Sequence, residues 1–193
     1  MKSEVMAGPE QQFLTAYRSK LYQALDRIDL DQVERVVQLL KDARANNRHI
    51  FTCGNGGSAS TASHFVTDMV KGASYLRDQR FRIIALTDSM PTITAYSNDV
   101  SYDCVFTEQL KNFAEPGDVL IAISGSGNSP NVVCAIEYAR SRGCSTVALT
   151  GRDGGKLGRA ADVEVRVAEE HMGRIEDAHL IICHMICYYF MEN

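Results

Sequence analysis

The chain has 193 residues, 45% of them hydrophobic, and a formal net charge of −4, so it can bury a sizeable core and sits near the upper end of the range for one domain. The charge gives no general attraction to nucleic acid or anionic lipid. No stretch approaches the roughly 20 apolar residues that span a bilayer, and residues 1–12 are polar with no hydrophobic signal core. The expected setting is therefore the cytoplasm, with neither nucleic acid nor membrane as partner.

Phe13, Tyr17, Leu21 and Leu25 recur at every fourth position, and Val33, Val36, Val37 and Leu40 form a second stripe, which predicts two amphipathic helices. Asp29 followed by Gln32 reads as a capping box that restarts the chain between them. From His49 onward the texture changes to strand-length apolar runs at 50–53, 81–86, 119–123, 146–149 and 163–167. Helical composition separates them, around 59–70, 105–113, 132–141 and 175–191. Strands alternating with helices pair in parallel, so the expected fold is α/β: a three-layer, doubly wound, parallel five-stranded sheet preceded by two N-terminal helices. A helical segment at 1–46 and an α/β core at 47–193 would form one domain. The apolar stripes of the first helices and the final helix need a cover, and self-association supplies one.

Six cysteines, Cys53, Cys104, Cys134, Cys144, Cys183 and Cys187, lie in apolar segments without a CxxC pair and read as reduced core residues.

Two strand-to-helix loops fit an anion. The first is Gly54, Asn55, Gly56, Gly57, Ser58, and the second is Ser124, Gly125, Ser126, Gly127, Asn128, Ser129, Pro130. Beyond the carboxyl end of a parallel strand the next helix offers unpaired N–H groups and a positive dipole end, and glycines let a phosphate come close. Hydroxyls of Ser124, Ser126 and Ser129 add neutral donors, and Pro130 suits a first helical position. Neither loop has the GxxxxGK[ST] or GxGxxG pattern of nucleotide sites.

Further acid, base and ligand candidates flank these loops. His64 and Asp68 are four apart on the helix after the first loop and share a face. On the last helix Glu176 and His184 are separated by about two turns and about 80° around the axis, a spacing from which both can reach one site. A carboxylate and an imidazole serve proton transfer through an enediol, and two histidines with two carboxylates equally suit a divalent ion such as zinc. Both roles stay open at this level. His179 reads as structural, and His49 and His171 have no assigned partner.

The stretches CGNGGSAS at 53–60, ISGSGNSPNVV at 123–133, ALTGRDGG at 148–155 and RIEDAHLIICHM at 174–185 together resemble the SIS (sugar isomerase) domain family, and within it the bacterial phosphoheptose isomerases. The resemblance implies conversion of D-sedoheptulose 7-phosphate to D-glycero-D-manno-heptose 7-phosphate. Asp68 and His184 would be base and acid, with Glu176 a further catalytic carboxylate. Asn55, Gly56, Gly57, Ser58, Asp99, Ser124, Gly125, Ser126, Ser129 and Glu176 would bind substrate. It also implies zinc at His64, Asp68, Glu176 and His184 in some members, and a homotetramer. Four departures stand out: Asp68 replaces the family's Glu, Glu176 its Gln, Gly173 an acidic residue, and Gly125 a hydroxyl residue. SIS domains also occur as sugar-phosphate sensors and as a replication-initiator adaptor, which with isomerisation of another phosphosugar are the alternative functions.

Overall fold

The computed structural model describes residues 8–193; residues 1–7, part of the polar opening read above, lie outside them. Helices α1 (Pro9–Leu25) and α2 (Leu30–Ala45) come first. Asp29 caps α2, its carboxylate accepting from the N–H groups of Asp31 at 3.0 Å and Gln32 at 3.4 Å. The Gln32 side chain instead accepts from Arg35, so only half of the capping box forms. Val33, Val36, Leu40 and Ala43 of α2 are buried, whereas α1 buries only Ala24 and leaves Phe13 and Leu14 exposed.

Five strands follow, β1 (His49–Gly54), β2 (Arg82–Ala85), β3 (Val119–Ser124), β4 (Ser145–Gly151) and β5 (Val163–Val167). They pair in parallel, as the sequence predicts, in the order β2-β1-β3-β4-β5. β3 is central and buried at every position, which is why it reads as an unbroken apolar run rather than an alternation. Helices α2, α3 (Gly57–Thr67) and α8 (Met172–Glu192) cover one face, and α5 (Thr107–Phe113), α6 (Pro130–Ser141) and α7 (Gly155–Ala160) the other. Helix α4 (Met90–Asp99) packs against that second layer through Ile93 and Tyr96. The winding reverses between β1 and β3, the switch point where open α/β sheets hold ligands.

Three local differences from the sequence reading have physical causes. The helix expected over 59–70 ends at Thr67, and the chain continues as one π turn, Asp68–Gly72, closed by the Ala73 N–H on the Asp68 carbonyl at 3.0 Å. Gly72 ends it in close packing with α8, where a Cβ would strike Met191. Cys134 is exposed rather than in the core, since it lies on the outer side of α6, away from buried Val132, Val133, Ala135 and Ile136. On the final helix Met185 and Tyr188 are exposed, so one face of that apolar segment is uncovered in the single chain.

Candidate active site

Ladder register levels the strand ends at the switch point, with Gly54 opposite Ile123 and Ser124 opposite Thr150. Both predicted loops consequently open onto one cavity of about 260 Å³ lined by Asn55, Gly56, Gly57, Ser58, Ser124, Gly125, Ser126, Ser129, Met172 and Glu176 among others. α3 begins after Gly56, whose φ of 54° a side chain would strain, and no side chain caps its first N–H groups. α6 starts with Pro130 at its first position and no capping bond from the Ser129 side chain; the Val132 N–H goes to the Ser129 carbonyl and the Asn131 Oδ1, and the Val133 N–H to the Ser129 carbonyl. The Ser124 hydroxyl lies 3.4 Å from that of Ser126 and 3.2 Å from that of Ser129. Three converging hydroxyls beside the positive ends of two helices make a neutral-donor cradle for a phosphate.

Two of the departures have a cause in packing. A Cβ at Gly125 would sit 2.6 Å from the Met172 sulfur, and one at Gly173 would sit 2.9 Å from the Tyr17 hydroxyl. Tyr17 donates to Asp177 at 2.6 Å, and this bond, followed by burial, raises its pKa to about 12. Arg174 lies over the Tyr17 ring and pairs with Glu169 at 2.9 Å. That pairing, with the N–H groups of Glu170 and His171, lowers the Glu169 pKa to about 2. The first turn of α8 is thereby tied to α1 and to the end of β5.

Along α3 and α8, roughly 10–12 Å beyond Gly57 and Glu176 at 1.5 Å per residue, lies the second half of the site. The His64 Nε2 atom is 3.3 Å from the Asp68 carboxylate, His184 Nε2 is 3.6 Å from it, and the two imidazole nitrogens are 2.9 Å apart. Two lone-pair nitrogens so close require a shared proton or a cation between them. Two imidazole nitrogens and a carboxylate oxygen within 4.8 Å of one another fit a tetrahedral divalent ion such as zinc, with one position to spare.

The structure thus brings His64, Asp68 and His184 together as expected. Glu176 is not in that group: its carboxylate lies against Gly57, where a Cβ would meet it at 2.7 Å, in the phosphate-sized cavity. Asp99 is brought to neither place. It accepts from Asn98 at 2.7 Å and borders an outer depression with Pro91, Thr92, Ala95 and Tyr96.

His179 is buried, and its Nε2 lies 3.0 Å from the Thr150 carbonyl. Only donation is available to a carbonyl partner, so the neutral ring carries its proton on Nε2. Burial lowers its pKa to about 4 despite that bond.

Sequence reading missed Asn131 and Tyr102. Their amide and hydroxyl both engage Asn55, and no periodicity or motif spacing signals partners so far apart in the chain.

A family model described as SIS domain matches residues 12–151. The chain is 41% identical over 161 residues to the phosphoheptose isomerase of Alteromonas mediterranea, covering 81% of this chain and 80% of the relative. It is 43% identical over 167 residues to that of Halorhodospira halophila, covering 85% and 83%. The solved phosphoheptose isomerase of Neisseria gonorrhoeae superposes with a TM-score of 0.88 at 32% identity, covering 95% of this chain and all of that one.

Proposed function

The chain belongs to the SIS domain family, and we propose that it is a sugar phosphate isomerase interconverting D-sedoheptulose 7-phosphate and D-glycero-D-manno-heptose 7-phosphate. One observation carries the reading: a neutral phosphate cradle at the switch point and a cluster of two histidines and a carboxylate, two helical turns further along the same pair of helices. A ligand touching both must be elongated, with its phosphate at one end and its reacting carbons at the other, as an open-chain heptose phosphate is.

The hydroxyls of Ser124, Ser126 and Ser129 hold the phosphate beside the positive ends of α3 and α6. Asp68 takes a proton from C1 of the ketose and returns it to C2, passing through the enediol. His184 moves a proton from O1 to O2 in the same interval, so that the carbonyl migrates from C2 to C1 with no net gain or loss of protons. Glu176 lines the phosphate cavity beside Gly57 and meets the substrate near its phosphate end. A zinc ion held by His64, Asp68 and His184 would polarise the sugar carbonyl as a Lewis acid, with Glu176, the fourth ligand that the resemblance implies, outside that cluster.

The exposed apolar side chains Phe13 and Leu14 of α1 and Met185 and Tyr188 of α8 support a homo-oligomer, for which the resemblance implies a tetramer. Asp99 would meet substrate only through such an assembly. Six unpaired cysteines support a reducing cytoplasm. No helix among the described residues is long and apolar enough to cross a membrane.

The test is hydrogen exchange followed by NMR in D₂O with sedoheptulose 7-phosphate, with and without added Zn²⁺. Deuterium at C2 of an aldose product, lost in Asp68→Asn and in His184→Ala, is the expected result. Saturable sugar-phosphate binding without exchange would instead make the protein a sensor or adaptor.

A further inference from the structure

The loop after β1 is held by an amide network that the phosphate cradle does not explain. Asn131, the second residue of α6, is 1% exposed, and its Oδ1 accepts from the Val132 N–H at 3.0 Å. A backbone N–H can only donate, so this bond decides which end of the Asn131 amide is oxygen. The Asn131 and Asn55 amides then face each other, each Nδ2 donating to the other's Oδ1 at 2.9 Å. Since the Asn131 orientation is fixed, that of Asn55 is fixed too. Tyr102, on the one-turn 3₁₀ segment Tyr102–Cys104, donates its hydroxyl to the same Asn55 Oδ1 at 2.8 Å.

A carbonyl-type oxygen has two lone pairs, and both lone pairs of Asn55 Oδ1 are taken by these donors. Its Nδ2 has two hydrogens, one of which goes to Asn131. The other is left for whatever occupies the cavity that Asn55 lines. Turning the amide over would face oxygen to oxygen against Asn131 and leave buried groups unpaired, which is costly.

We propose that Asn131 and Tyr102 are positioning residues that hold the Asn55 carboxamide as an obligate hydrogen-bond donor to an oxygen of the bound sugar phosphate. The proposal deepens the isomerase reading and rests on it for the identity of the ligand. It also assigns a role to contacts that join three separate segments: the loop after β1, the start of α6 behind the second loop, and the turn beyond α4. Tyr102 is half exposed, so its hydroxyl, rather than burial of its ring, is what the site uses. Specificity follows, because a donor fixed in this way accepts a carbonyl, hydroxyl or phosphate oxygen and rejects an amine at the same place.

The experiment measures KM, kcat and the calorimetric Kd for sedoheptulose 7-phosphate in wild type, Tyr102→Phe, Asn55→Ala, Asn55→Asp and the double variant Tyr102→Phe/Asn55→Ala. One neutral hydrogen bond corresponds to about a 2- to 13-fold change, so Tyr102→Phe should raise KM and Kd by about that factor while kcat changes less. Added to Asn55→Ala, the same substitution should change neither, because its only route to the ligand is gone. Asn55→Asp keeps the shape and both incoming donors but turns an oxygen to the ligand, so it should bind more weakly than Asn55→Ala. Equal effects of Tyr102→Phe in both backgrounds, an unchanged Kd, or Asn55→Asp binding better than Asn55→Ala would overturn the proposal while wild-type turnover kept the isomerase reading. Wild type that binds the sugar phosphate without turning it over would remove the isomerase reading and leave the positioning claim to be decided by the Kd ratios. Wild type that neither binds nor reacts would overturn both.

Discussion

His179 makes stability depend on pH below about 6.5. Its ring is buried, its Nε2–H is used on the Thr150 carbonyl, and its Nδ1 has no partner. Protonation would therefore create a buried charge and an N–H with nothing to accept it. The folded-state pKa is about 4 against 6.5 for the free side chain. Above 6.5 both states are neutral and nothing is lost. As pH falls from 6.5 toward 4 the unfolded chain takes up a proton that the folded chain refuses, and at pH 4.5 the penalty reaches about 2 to 3 kcal/mol. Glu169 works in a lower range: with its pKa lowered from 4.5 to about 2, its contribution is complete above 4.5 and lost as pH falls through 2. Urea unfolding followed by far-UV circular dichroism, at fixed protein concentration so that any assembly contributes equally, should be compared at pH 7.5, 5.5 and 4.5 for wild type and His179→Gln. Glutamine keeps an N–H within reach of the Thr150 carbonyl and does not titrate. The wild type should lose about 2 to 3 kcal/mol more than the variant between pH 7.5 and 4.5. Parallel pH profiles would mean that His179 is protonated alike in both states, and the burial argument would fail.

Two further outcomes follow from the site and from the uncovered face of α1. Glu176→Gln removes a negative charge from the cavity that takes phosphate, and at an effective dielectric between protein and water this repulsion is about 1 kcal/mol; calorimetry should find inorganic phosphate bound about fivefold tighter, and unchanged affinity would place the Glu176 charge out of reach of the anion. Phe13→Asp puts a charge on the exposed α1 stripe; light scattering should show a lighter species than wild type, whereas an unchanged mass would exclude that stripe from the interface.

Apolar runs told most of the fold because parallel strands are covered on both faces, and β3 is the clearest instance. The π turn at Asp68–Gly72 was hidden, since no period in the sequence signals one wide turn at a helix end, and the packing of Gly72 against Met191 joins residues more than a hundred apart. α7 was hidden for another reason: its six residues include two glycines, too short and too permissive to show a period. Within the site, His64 and Asp68 were legible from helical spacing alone. The reach of Glu176 was not, because a spacing that permits convergence with His184 does not say which way a flexible carboxylate turns, and here it turns to Gly57. Tyr102 and Asn131 carried no signal at all, as their shared partner Asn55 lies 47 and 76 residues away.

The departures from the family pattern are better understood together than one at a time. Removing side chains at Gly125 and Gly173 does not enlarge the cavity, because the Met172 sulfur and the Tyr17 hydroxyl occupy the space each would have filled. Losing an acidic residue at 173 while gaining Glu176 leaves the number of carboxylates unchanged. It moves one of them three residues along α8, roughly 4.5 Å at 1.5 Å per residue, to the mouth of the first loop beside Gly57. Glu176 stands in the cavity that takes the phosphate, whereas Gly173 does not line it, so the carboxylate that this chain offers near the phosphate is Glu176. Discrimination among stereoisomers at the hydroxyls nearest the phosphate is therefore where this chain should differ from a relative with Gln at that position.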